Sequence, residues 1–193
     1  MKFIFIRHGK TKGNEEKRYV GKTDQHLSPL GIAEIKKITY PAADLVFASP
    51  RIRCRETAAL IYPDQEINIV DDLREMDFGD FESKNYEELK NDPIYQKWLD
   101  SNGTMPCPNG ESRENFAARC VEAFWRAIKK TDTAKIGTAA FVVHGGTIMA
   151  LMDNLTLHNG QYYDFLVENA CGYICSFDGK YLKITGTIPP AEE

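Results

Sequence analysis

Cysteine is scarce and poorly arranged for cross-linking: five residues, at positions 54, 107, 120, 171 and 175, an odd number with no CxxC pair. That pattern speaks against a disulfide framework and suits reduced thiols in a cytoplasm. Long apolar runs are missing as well. Stretches such as Phe3–Ile6 and Ala139–Val143 fall far short of the roughly 20 residues a membrane span needs. The opening MKFIFIRHGK is too short in its apolar part for a signal-peptide core, and no small-residue cleavage site follows. A cytoplasmic protein is expected. Basic charge is not in excess: 24 Lys and Arg against 28 Asp and Glu give a net charge of −4. Neither a nucleic-acid partner nor a membrane partner is therefore expected. Histidine is rare too. Its four residues show none of the HxH or HxxxH spacings of clustered metal ligands. No metal and no cofactor are expected.

What remains is an ordinary globular composition, 42% hydrophobic and 27% charged over 193 residues. At about 150 residues per domain, that length predicts one domain over 1–193. No repeat, low-complexity tract or long linker divides it. Folding should bury roughly 70% of the unfolded chain's surface, enough for a core without staples.

Along the chain, strand and helix patterns alternate. Lys2–Ile6 reads as a buried strand and Asp44–Ala48 as a second. Glu66–Val70 and Ala139–Val143 read as further strands. Helices are predicted over Gly31–Ile38, opened by Ser28-Pro29, and over Arg51–Ile61. Glu111–Lys130 carries Phe116, Cys120, Phe124 and Ile128 at four-residue spacing, the signature of one buried helical face. An apolar helix should run from Thr147 to about Leu155. Tyr173–Phe177 and Tyr181–Thr185 around Asp178-Gly179 predict a closing hairpin with a type I′ turn. The alternation predicts a three-layer α/β/α sandwich around a mostly parallel sheet. Residues 81–110 break the alternation and read as a short helical insertion, a lid over the site.

Ligands of such sheets bind beyond the carboxyl ends of the strands, and there the residues are chemically pointed. Strand one ends in Arg7-His8-Gly9, the second in Ser49-Pro50 with Arg51, Arg53 and Arg55 close behind. The third runs into Arg74-Glu75, and the later one ends in His144-Gly145-Gly146. Arginine forks and helix amino termini favour phosphate; Ser49-Pro50 reads as an N-cap that puts Arg53 in a first helical turn. A histidine among cations is pushed toward its neutral, nucleophilic form. One histidine can then attack phosphorus while arginines hold the oxygens, and Glu75 is placed to protonate the leaving oxygen. The residues alone do not choose between His8 and His144 as nucleophile.

Other conspicuous residues read as structural. His26 and His158 are expected on the surface, Arg51 and Arg55 solvated, and Cys171 and Cys175 in the core. Asp71, Asp72, Asp77 and Asp80 read as loop and cap carboxylates, and Tyr95 and Trp98 as packing residues of the insertion.

Arg7-His8-Gly9-Lys10-Thr11 with Asn14 resembles the signature of the histidine phosphatase superfamily, in its phosphoglycerate-mutase-like branch. Further blocks follow in family order: Arg18–Asp24 with Leu27-Ser28 and Leu30-Gly31; then Ser49-Pro50, Arg53 and Thr57-Ala58. Leu73, Glu75, Phe78-Gly79 and Glu82 come next, then Asn109–Ser112, then His144-Gly145-Gly146. The resemblance implies that fold, His8 as nucleophile, Glu75 as proton donor and no metal. It also implies a phosphate pocket of Arg7, Asn14, Arg53 and His144, with Thr11 and Gly145 at the substrate. A small phosphorylated metabolite is the expected partner, and the oligomeric state stays open. The compact chain resembles α-ribazole and broad-specificity phosphatases; the alternatives are a phosphoglycerate mutase, a catalytically silent phospho-ligand module and a zinc hydrolase. Three positions depart from the family pattern: Lys10 in place of an acidic residue, Gly13 in place of an aromatic one, and Phe81-Glu82-Ser83 in place of Trp-Glu-Gly. Lys10 is expected to add positive charge at the mouth and Gly13 to loosen its loop.

Overall fold

The computed structural model describes residues 1–131 and 136–190. One sheet holds β1 (Lys2–Arg7), β2 (Leu45–Ala48), β3 (Ile67–Ile69), β4 (Thr138–Val143), β5 (Gly172–Phe177) and β6 (Leu182–Ile188). Their order across the sheet is β3-β2-β4-β1-β5-β6. The first four strands pair in parallel, while β5 runs antiparallel to β1 and β6 antiparallel to β5. The helices are α1 (Lys12–Glu15), α2 (Pro29–Lys37), α3 (Ile52–Ile61), α4 (Tyr86–Leu89), α5 (Pro93–Asp100), α6 (Arg113–Lys129) and α7 (Gly145–Leu155).

Strand β1 shows why the fold has three layers. Its side chains alternate between faces, yet both faces are apolar. Phe3 and Phe5 enter a cluster with Phe124 of α6, Phe141 and Ile148 of α7. Ile4 and Ile6 enter another with Cys54 and Ala58 of α3. A strand apolar on both sides is stable only between two helical layers. On α6, Phe116, Cys120, Phe124 and Ile128 are all buried, as their spacing predicts. Segment 81–110 forms α4 and α5 with connecting loops; Tyr95 and Trp98 of α5 bury themselves against Phe81 and Tyr19.

Two local expectations are corrected. The hairpin between β5 and β6 has a four-residue loop, 178–181, in which Asp178 Oδ1 accepts from the amides of Lys180 and Tyr181 at 2.8 and 2.7 Å. Only Gly179 there takes a positive φ, +102°, so the side-chain turn replaces the type I′ turn, which needs two such residues. The N-cap of α3 is Arg51, with no side-chain cap; the Ser49 hydroxyl lies 2.7 Å from His144 Nε2 and accepts only a long bond, 3.4 Å, from the Arg51 amide. Arg53 still falls in the first turn.

The sheet order sets the position of the site. From β1 the chain crosses to β2, on one side of the β4/β1 pair; from β4 it crosses to β5, on the other. The crevice where connections diverge, beyond the strands' carboxyl ends, is the standard ligand position in such sheets.

Candidate active site

Register brings the two histidines together. Arg7 pairs with Val143 across β1 and β4, so the next residue of each strand, His8 and His144, emerges at the same level. Their rings lie 5.2 Å apart, edge to face. On the other side of β4, Ala48 pairs with Val142, which places Ser49 beside His144; its Oγ is 2.7 Å from Nε2.

His8 is buried, and its Nδ1 lies 2.7 Å from the carbonyl oxygen of Gly9. A carbonyl can only accept, so Nδ1 carries the proton and Nε2 carries the lone pair. Burial, reinforced by the cations Arg53 and Arg7, holds this imidazole well below its ordinary value. Burial, then Arg53 and His8, does the same for His144.

Arg53 is completely buried and makes an unusual set of contacts. Its Nε donates to His8 Nε2 at 3.3 Å, Nη1 to Thr23 O at 2.9 Å, and Nη2 to Val20 O and Gly21 O, each at 3.2 Å. The carbonyls of loop 20–23 are held in turn: Glu82 accepts from the amides of Gly21 and Thr23, both at 2.9 Å. Neither Arg53 nor His144 lines the open cavity; both stand behind His8.

The cavity has a volume of about 240 Å³, and Arg7, His8, Asn14, Glu75 and Gly145 are on its wall. Arg7 donates from Nη1 to Val167 O at 2.7 Å, and its Nε is buried without a partner. Glu75 Oε1 accepts from the Met76 amide at 2.9 Å and Oε2 from the Gly146 amide at 3.1 Å. Burial nevertheless outweighs those hydrogen bonds and the nearby arginines, and raises the Glu75 carboxyl above its usual range. A Cβ on Gly146 would sit 2.4 Å from Glu75 Oε1, so a glycine there is what lets the carboxylate approach α7. Asn14 Oδ1 accepts from Thr11 N at 3.0 Å and Thr11 Oγ1 at 3.1 Å, which leaves the Nδ2 amide as the group that can face a ligand. Thr11 itself is fully buried and off the cavity wall; it supports Asn14 as the N-cap of α1.

Several peripheral expectations change. Lys10 is paired with Glu34 at 2.5 Å, so it adds no free charge at the mouth. Gly13 is buried and its amide donates to Gln25 Oε1 at 3.0 Å, which makes that loop tight rather than loose. Arg51 is half-buried with an unpartnered Nε, while Arg55 is exposed. His26 lies on the surface against Glu56, but His158 is half-buried, its ring edge-on to Phe165 at 4.7 Å. Sequence reasoning missed the outer wall, where Tyr19, Phe78, Arg113, Tyr162 and Tyr163 join Trp98. Only the aromatic richness of the segments around them hinted at it. Among the described residues no three His, Cys, Asp or Glu side chains converge to hold a metal ion, and no helix is long and apolar enough to cross a membrane.

Known proteins resemble this chain in sequence and fold. The adenosylcobalamin/alpha-ribazole phosphatase of Salmonella typhimurium is 29% identical over 182 residues, covering 89% of this chain and 88% of its own. The structure of a phosphoserine phosphatase from Entamoeba histolytica in complex with 3-phosphoglyceric acid superposes with a TM-score of 0.78 at 25% identity, over 97% of this chain and 96% of that one. A phosphoglycerate mutase from Thermus thermophilus gives a TM-score of 0.72 at 28% identity, over 95% and 98% of the two chains. The family model of the histidine phosphatase superfamily (branch 1) matches residues 3–187, and the chain belongs to that superfamily as an enzyme of the phosphatase class.

Proposed function

We propose that the chain is a metal-independent phosphomonoesterase, a single domain that hydrolyses a small phosphorylated metabolite through a phosphohistidine on His8. The observation that carries this reading is the Nδ1–H bond of His8 to the Gly9 carbonyl at 2.7 Å, which leaves Nε2 basic on a ring of the cavity wall. In the first step Nε2 attacks phosphorus, the P–O ester bond breaks, and protonated Glu75 gives its proton to the departing alkoxide. Arg7 Nε and the Asn14 amide receive phosphoryl oxygens. Arg53, whose Nε–H donates to Nε2 at 3.3 Å, and the buried His144 hold the His8 ring from behind and add their field to that side of the site. Charge on the transferring phosphoryl group is thereby met by donors already in place. In the second step Glu75, now ionised, takes a proton from water as the water attacks phosphorus and frees His8. Segment 81–110 covers the site and limits access of solvent.

The test is phosphate release, with EDTA present, from α-ribazole 5′-phosphate, phosphoserine, sugar phosphates and nucleotides. Release from one or several supports the reading. Isomerisation of 3-phosphoglycerate without phosphate release would make the protein a mutase, and loss of turnover in EDTA would overturn metal independence.

Glu82 is a positioning residue in this scheme. It anchors the loop whose carbonyls hold Arg53, and Arg53 in turn touches His8. Glu82→Ala is expected to lower kcat about 10- to 100-fold with KM little changed, since small misplacements of catalytic groups cost that much. Steady-state kinetics decide it: an unchanged kcat would mean that Arg53 keeps its place without the loop.

A further inference from the structure

The outer half of the cavity has a chemistry that phosphate recognition does not use. Its wall is built from the rings of Tyr19, Phe78, Trp98, Phe116, Tyr162 and Tyr163. The phenol oxygens among these are committed elsewhere. Tyr19 Oη bonds Tyr95 Oη at 2.8 Å, Tyr162 Oη donates to Gly146 O at 3.3 Å, and Tyr163 Oη donates to Asn102 O at 3.1 Å.

Two donors are left over. Trp98 is only 7% exposed, and its Nε1–H is buried with no partner, an arrangement proteins rarely tolerate without a ligand or water to receive the proton. The Arg113 guanidinium lies 4.9 Å from the Tyr162 ring centroid and donates to the Asn102 carbonyl at 3.2 Å, beside the Tyr163 hydroxyl; among the described residues it makes no ion pair. The other outer cation, Arg18, is already neutralised by Glu16 and Glu88. Among the described residues, Glu75, deep at the reaction centre, is the one carboxylate on the wall.

Flat apolar rings accept a planar group by stacking. A subsite with donors and a cation that has no acidic partner among the described residues favours an anionic acceptor and disfavours an ammonium. It is therefore unlike an aromatic cage for quaternary amines, whose cation Arg113 would repel. Resting on the phosphomonoesterase reading, we infer that the preferred substrates are phosphate esters whose leaving group is a planar ring bearing a carboxylate. Arg113 is the specificity-determining residue that receives the carboxylate, and Trp98 Nε1–H is the second donor. Stacking against Phe78 and Tyr19 orients the ring so that its ester oxygen faces Glu75.

The test compares 4-carboxyphenyl phosphate, phenyl phosphate and phosphocholine on the full chain and on two variants, Arg113→Met and Trp98→Phe. Arg113→Met keeps the aliphatic stem and removes the cation; Trp98→Phe keeps a ring and removes the N–H. The readout is the ratio of kcat/KM for the carboxylated over the plain phenyl ester, which cancels general damage to the phosphoryl centre. The wild-type ratio is expected to exceed one, with phosphocholine the poorest substrate. Arg113→Met should lower the ratio about 10- to 100-fold and Trp98→Phe about 3- to 10-fold, as expected for a lost charge-assisted bond and a lost single donor. A ratio that neither variant moves overturns the inference, as does a preference for phosphocholine. If the wild type hydrolyses none of the three yet releases phosphate from phosphoserine, a sugar phosphate or a nucleotide, the inference fails and the phosphomonoesterase reading stands; if it releases phosphate from nothing, that reading fails. The same ratio, taken as Kd by calorimetry on the wild type and Arg113→Met, then decides the subsite alone.

Discussion

Replacing His8 by alanine is expected to remove turnover almost entirely, by about 10⁴-fold or more, as for other covalent nucleophiles. The geometry explains why no neighbour can substitute. His144 is the other imidazole at the site, but it is wholly buried, and its Nε2 is engaged by Ser49 at 2.7 Å. Arg53 would lose the acceptor for its Nε–H, so His8→Asn, which retains a polar side chain of similar size, is the companion variant. Both should keep a cooperative thermal transition while losing phosphate release and acid-labile labelling by a radioactive phosphoester. Activity within tenfold of wild type in either variant would remove His8 from its assigned role.

Glu75→Gln should show a loss that depends on the leaving group. For an alkyl ester, whose alkoxide must be protonated as it departs, kcat is expected to fall about 10²- to 10⁴-fold, the usual contribution of a general acid. For p-nitrophenyl phosphate, whose phenolate leaves unaided, the first step should fall less than about tenfold. Equal losses on both would argue against Glu75 as the acid.

The pH profile carries the same assignment. His8 must be neutral to attack, and its pKa is held well below the ordinary 6.5; activity is therefore lost on the acid side only below that value. Glu75 must be protonated to act, and its pKa is raised above the ordinary 4.5; the alkaline limb accordingly lies above 4.5. An amide does not titrate, so Glu75→Gln should lose the alkaline limb for alkyl esters and keep the acid limb. An unchanged profile would place the alkaline limb on another group.

Much of this protein is legible from its residues in order, because the relevant physics is local. The unbroken apolar run of β1 announces a buried strand, and four-residue spacing on α6 announces its buried stripe. Ser28-Pro29 opens α2 as a cap and first helical residue should. His8, Glu75, His144, Arg7 and Arg53 stand out as candidates because the strand ends of a parallel sheet converge, and these residues lie at those ends or in the segments that follow them.

Other features were hidden because they depend on contacts between distant segments. Whether Thr11 touches a ligand or supports Asn14 depends on which way the hydroxyl turns, and in the fold it turns to Asn14. Lys10 is a free charge in the sequence and a paired one in the structure, because α2 brings Glu34 to it. Ser49 looked like a cap until β4 set His144 beside it. Glu82, 29 residues beyond Arg53 in the chain, holds the loop that holds the arginine, and no spacing rule encodes that.

The sequence by itself determined the layered α/β architecture and the phosphatase class, and singled out the candidate residues of the site, since periodicity and strand-end residues are properties of short segments. Tertiary structure alone decided which histidine nitrogen is basic, since that rests on one carbonyl 2.7 Å away. It alone placed Arg53 and His144 behind His8 rather than on the cavity wall. It also gathered Tyr19, Trp98, Arg113 and Tyr163 from separate segments into one wall. The proposed recognition of the leaving group lives there, where side chains far apart in the chain meet, and linear order does not record such meetings.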